Sequence, residues 1–137
     1  MKKGTSQIEQ DIFNVLENFF SGVIGGTVYM QGCRPLDAKT EDVVIAVTSG
    51  TADQIQTGRA RVNIYVPDID NNSGALVPDK ERIQELEKFD SAVVVALNTV
   101  LFEEYEFYLF EMTDIVKAEG INQHFVNIKL EFERITF

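Results

Sequence analysis

Apolar residues recur along this chain at two spacings, and the switches between them mark out its elements. Ile8, Ile12, Val15, Leu16 and Phe19 fall on one stripe of period 3.6, which predicts a helix over residues 7–20. Ser6 and Glu9 have the spacing of a capping box at its start, and Gly22 supplies a stop. Residues 23–30 read as a short strand led by Gly25 and Gly26, and residues 31–40 as a loop extended by Arg34-Pro35. Residues 42–48 are apolar and β-branched without clean alternation, as in a central strand covered on both faces. A connection over 49–57 then closes a hairpin onto a strand at 58–66.

That strand alternates strictly. Val62, Ile64 and Val66 lie on one face and Arg61, Asn63 and Tyr65 on the other, until Pro67 ends it. Asp79 is placed to cap a second helix, whose stripe of Ile83, Leu86, Phe89, Val93, Leu97 and Val100 keeps phase through Asp90-Ser91. The valine-rich run 92–97 also reads as a buried strand. Two further strands are expected over 104–116 and 122–136, the last alternating Val126, Ile128, Leu130 and Phe132 against Asn127, Lys129, Glu131 and Glu133. Helix, three strands, helix and two strands make an α+β fold: a mostly antiparallel, mixed sheet of about five strands with two main helices on one face.

Composition narrows the function. With 45% hydrophobic and 25% charged residues, no repeat and no linker, residues 1–137 are expected to form a single domain. Twenty-two acidic against twelve basic residues give a net charge of −10, which opposes binding to nucleic acid or an anionic membrane. No run approaches the ~20 apolar residues of a membrane span, and the polar start of the first apolar stretch argues against a signal peptide. Cys33 is the lone cysteine, consistent with a reducing compartment.

Chemistry finds little purchase. Asp68, Asp70, Asn72 and Asp79 fall near the ligand spacing of a calcium loop, but Ser73 stands where the sharp turn needs glycine and a strand precedes the loop, so a turn is expected and no metal. Cys33 and His124 would need to be brought together, with an orienting group, to act as a nucleophilic pair. Gly22, Gly25 and Gly26 follow a helix and precede a strand, the reverse of a phosphate-binding loop, so no cofactor is expected. Glu103, Glu104, Glu106 and Glu111 do not face one another across a cleft as paired catalytic acids must, and Glu104 and Glu106 are expected on one solvated strand face. The chain reads as a non-enzyme. The outward set is more telling: Arg59, Arg61, Asn63 and Tyr65, with Phe125 and Phe137 on the last strand and Asp68 and Asp70 beyond Pro67, are candidate contacts with a partner, since arginine and aromatic residues anchor interfaces.

The layout of an N-terminal helix, an Arg34-Pro35 loop, Asp42-Val43-Val44-Ile45, the run Val62-Asn63-Ile64-Tyr65-Val66-Pro67-Asp68 and a helix opening Asp79-Lys80-Glu81-Arg82-Ile83 resembles the tail-completion proteins of tailed bacteriophages. These are tail-terminator and neck proteins related to the lambda minor tail protein U, and the resemblance spans about residues 5–135. It implies a small α+β subunit that assembles into a homo-oligomeric ring, commonly of six copies, without an active site. Such a ring caps the tail tube at its head-proximal end and joins it to the head–tail connector; it is made in the host bacterial cytoplasm and resides in the virion. The alternative is a non-viral protein-binding module using the same sheet face.

Overall fold

The computed structural model of the chain describes residues 1–136, with Ser49 described by its backbone alone. Phe137, one of the candidate contacts, lies outside the described residues. Helix α1 spans Thr5–Phe20 and buries the expected stripe, with Phe20 rather than Phe19 driven fully into the core. The capping box of Ser6 and Glu9 does not form. The helix starts two residues earlier than expected, so Gln7 occupies the third turn position and its Oε1 accepts the Gly4 N–H at 2.8 Å. Glu9 is thereby free to accept the Gln31 N–H at 2.9 Å. Gly22 follows with φ 81°, a left-handed stop that glycine takes without strain.

Residues 23–27 are not a strand. Val23 and Ile24 donate back to the Phe20 carbonyl, extending the turn, and only Val28–Met30 forms β1. Gly26 passes so close to the next segment that a Cβ there would overlap Asp42 Oδ1 and the Glu41 carbonyl. Strand β1 runs parallel to β2, Val43–Ala52, which turns tightly into β3, Ile55–Pro67. The hairpin is therefore longer than expected. A register shift between Thr48 and Thr51 accompanies the approach of Gly50 to the Thr57 carbonyl, a contact that no residue with a Cβ could make.

Two small strands, β4 (Ile69–Asp70) and β5 (Leu76–Val77), pair into a separate ribbon beyond Pro67. Asp79 caps α2, Lys80–Glu87, accepting the Arg82 N–H at 3.2 Å. The second expected helix is two helices, α2 and then α3 (Asp90–Val100), joined at Lys88-Phe89, and the run 92–97 is helix, not strand. Ile83, Leu86, Val93 and Leu97 are buried, while Val100 leaves the stripe and is exposed. The expected strand 104–116 is split into β6 (Tyr105–Leu109) and β7 (Asp114–Lys117), which pair in succession with the same edge of β8, Gln123–Ile135.

The main sheet thus has six strands in the order β1-β2-β3-β8-β6, with β7 also on β8; it is mixed and mostly antiparallel. The architecture is α+β, with more strands than the sequence suggested. The core lies between the helices and one sheet face, where Val43, Ile45, Ala60, Val62, Ile64, Ile128 and Leu130 meet Ile12, Leu16, Phe20 and Leu97, all fully buried. At the β6 edge the Asn98 carboxamide takes the place of a further strand: it donates to the Phe107 carbonyl at 2.9 Å and accepts the Phe107 N–H at 2.7 Å. That closes a backbone edge which would otherwise invite pairing.

Candidate interaction surface

Because strand side chains alternate, burying Val62, Ile64 and Val66 under the helices sends Arg59, Arg61, Asn63 and Tyr65 to the opposite face of β3. The register with β8 then sets a neighbour beside each: Arg59 faces Glu131, Arg61 faces Lys129, Asn63 faces Asn127 and Tyr65 faces Phe125. Five of the candidate contacts are thereby brought onto one surface. The Tyr65 and Phe125 rings lie 5.0 Å apart, and the Arg34 guanidinium sits 4.2 Å from the Tyr65 centroid. Arg34 is itself held by Asp42 at 2.9 Å and Gln123 at 2.8 Å, so the 31–41 segment folds over this end of the face. Between that segment and residues 118–121 runs a trough of about 350 Å³ floored by Val44, Ala46, Asn63, Tyr65 and Phe125, with Leu36 exposed on its rim.

In the middle of the face, the side-chain carbonyl oxygens of Asn63 and Asn127 are buried without a donor. Leaving such groups unmatched costs about 1–3 kcal/mol each. Farther along, Arg61 is exposed and makes no ion pair among the described residues, whereas Lys129 is held by Asp114 at 3.0 Å and Glu111 at 3.3 Å. Arg59 makes only a 3.6 Å pair with Glu131 and stacks on Phe110 at 4.3 Å. Beside these cations the register adds acids: Glu106 lies directly opposite Glu133, and Tyr108 opposite Glu131. Desolvation and then the nearby Glu131 and Glu133 carboxylates hold the Tyr108 phenol above its ordinary range.

Asp68 and Asp70 are not part of this face. Asp68 is turned inward, its carboxylate 2.7 Å from His124 Nδ1 and its side chain only 6% exposed. Asp70 Oδ1 accepts the Asn72 N–H at 2.8 Å and Asn71 Oδ1 the Ser73 N–H at 3.0 Å, the self-bonded turns that short polar side chains build. No group of three or more His, Cys, Asp or Glu side chains that could hold a metal ion occurs among the described residues. Cys33 is exposed in the 31–41 segment, while the His124 ring is engaged with Asp68. Glu104 and Glu106 do not share a solvated face: Glu104 precedes β6 and its carboxylate bonds Arg134 and Lys3, whereas Glu106 is exposed on the bare face.

Sequence reasoning missed Glu106, Tyr108, Asn127 and Glu131 as members of this surface. The polar half of the β8 alternation was the available signal, but only the register shows which charge meets which. No family model matches the chain, and no curated protein matches it. Its fold is similar to that of a solved structure at 15% identity and a TM-score of 0.53 over 96% of each chain. At that identity the likeness speaks for the fold alone. No described helix is long and apolar enough to cross a membrane.

Proposed function

We propose that the chain is a structural, non-catalytic subunit of a tailed-phage or prophage virion, a tail-terminator or neck protein that assembles as a ring. The ring sits at the head-proximal end of the tail and joins the tail tube to the head–tail connector, having assembled in the host cytoplasm. One observation carries the reading: among the described residues all three helices pack on one face of the six-stranded sheet, and the other face keeps arginine and aromatic side chains with no helix over them, only the 31–41 segment across one end. A sheet stable in isolation needs both faces satisfied by core or by solvated polar groups. This one presents exposed Arg61 and Tyr108, and the sequence layout of tail-completion proteins agrees with a face completed by assembly.

The test is native mass spectrometry of the purified chain over a range of concentrations. A closed ring, six copies being the expected size, supports the reading. A monomer at every concentration overturns it and favours the second reading, a protein-binding module. That alternative has its own support in the trough of about 350 Å³ beside Asn63, which is of a size to take a side chain or short peptide segment.

A further inference from the structure

The bare sheet face carries two like-charge pairs in register. Arg61 lies directly across from Lys129, and Glu106 directly across from Glu133. Like charges placed directly opposite on neighbouring strands destabilise a sheet. Lys129 is neutralised by Asp114 and Glu111, but Arg61, Glu106 and Glu133 make no ion pair among the described residues. Within one chain, then, a basic column (Arg59 and Arg61 on β3) and an acidic column (Glu131 and Glu133 on β8, Glu106 on β6) lie side by side. Tyr108 stands between the acids, 40% exposed.

We infer that this face is where a second copy of the same chain docks, with the Arg59–Arg61 column of one copy against the Glu106–Glu133 pair of the next. The inference rests on the ring reading above and names the surface through which the ring would close. Charge complementarity selects the occupant. Arg59 and Glu131 form one 3.6 Å pair between the columns within the chain, but Arg61, Glu106 and Glu133 are left without counter-ions among the described residues, and each finds one when a second copy is laid against it. Where each column meets a different neighbour the contact is head-to-tail and repeats from copy to copy, which is the requirement for a closed ring. Tyr108 and Phe110, on which Arg59 is stacked, supply aromatic area at the same place, the residue types that anchor interfaces.

The experiment is a charge swap. Arg61→Glu and Glu133→Arg are made separately, with Glu17→Arg on the exposed side of α1 as control. Thermal unfolding checks that each variant is folded, and native mass spectrometry and sedimentation velocity read the assembly. Each swap alone is expected to weaken assembly by at least about tenfold, the control to leave it unchanged, and an equimolar mixture of the two swapped chains to restore it, because each then meets its opposite charge. Assembly of folded Arg61→Glu at wild-type strength overturns the inference while leaving the ring reading in place. So do two weakened variants that fail to rescue one another. A wild-type chain that never assembles overturns both readings.

Discussion

Asn98 shows how one side chain can decide the fate of an edge. It sits on α3, where its carboxamide reaches both backbone groups of Phe107, so that a helix satisfies a strand. Phe107 is core-facing and nearly fully buried, and its N–H and C=O have poor access to water once Asn98 is gone. Asn98→Ala is therefore expected to cost about 1–3 kcal/mol, read from the urea unfolding midpoint, and to raise the tendency to aggregate through the freed β6 edge. A change below about 0.5 kcal/mol would mean that the bonds add nothing beyond a surface contact. Asp68 makes the complementary point. A carboxylate that sequence spacing offers to a cation or a partner is spent on His124, since a buried acid must find a donor nearby.

At the scale of elements, a knot of polar groups ties α1 to the far end of the sheet. Asp11 accepts from Lys3 at 2.6 Å and from the Tyr105 hydroxyl at 2.7 Å, Lys3 also meets Glu104 at 3.0 Å, and buried Arg134 joins Glu104 to Gln56. Burial first, and then the bond to Asp11, push the Tyr105 phenol well above its ordinary value. Burial would lower the Lys3 ammonium, but its bonds to Asp11 and Glu104 outweigh that and raise it. Both groups bind their protons more tightly folded than unfolded. Their stabilisation is complete below the unfolded values near pH ~10 and is lost as the pH rises beyond them. Stability is expected to fall above about pH 10, and Tyr105→Phe to flatten that fall while losing about 1 kcal/mol at neutral pH. Urea midpoints at pH 8 and pH 10.5 check this; an equally steep fall in the variant would place the titration elsewhere.

The same scale shows what could be read from the sequence. The α1 stripe and the β3 and β8 alternations were legible because each element buries one regular face against one partner layer. The break at Lys88-Phe89 was not, because the stripe stays in phase across it and Phe89 packs edge-on to Phe19 at 6.2 Å as if the helix were continuous. Nor was the split between β6 and β7. It is held by tertiary contacts, Thr113 donating to Asp90 at 2.9 Å and Arg59 stacking on Phe110, that no local pattern encodes. The basic column of the candidate surface was visible as the outward half of β3. Of its acidic counterpart, Glu131 and Glu133 were visible as the outward half of β8, and only Glu106 required the pairing of β6 with β8, which alternation alone does not give.

For the whole molecule, the net charge of −10 and the proposed columns pull in opposite directions, and ionic strength separates them. Repulsion between two acidic chains acts over the full molecular diameter and is felt strongly at low salt, where the Debye length is about 30 Å at 0.01 M. At 0.15 M that length falls to about 8 Å, which removes most of the general repulsion while sparing pairs in contact at a partly desolvated face. At 1 M, with a length of about 3 Å, the pairs still exposed at the rim are screened as well. Assembly through Arg61 and the Glu106–Glu133 pair is therefore expected to strengthen from 0.01 to 0.15 M sodium chloride and to weaken toward 1 M, as measured by sedimentation velocity at fixed chain concentration. An association driven by apolar area alone would instead rise or stay level at high salt. A monotonic strengthening up to 1 M would thus move the contact off the charged columns and toward the apolar rim of the trough around Leu36.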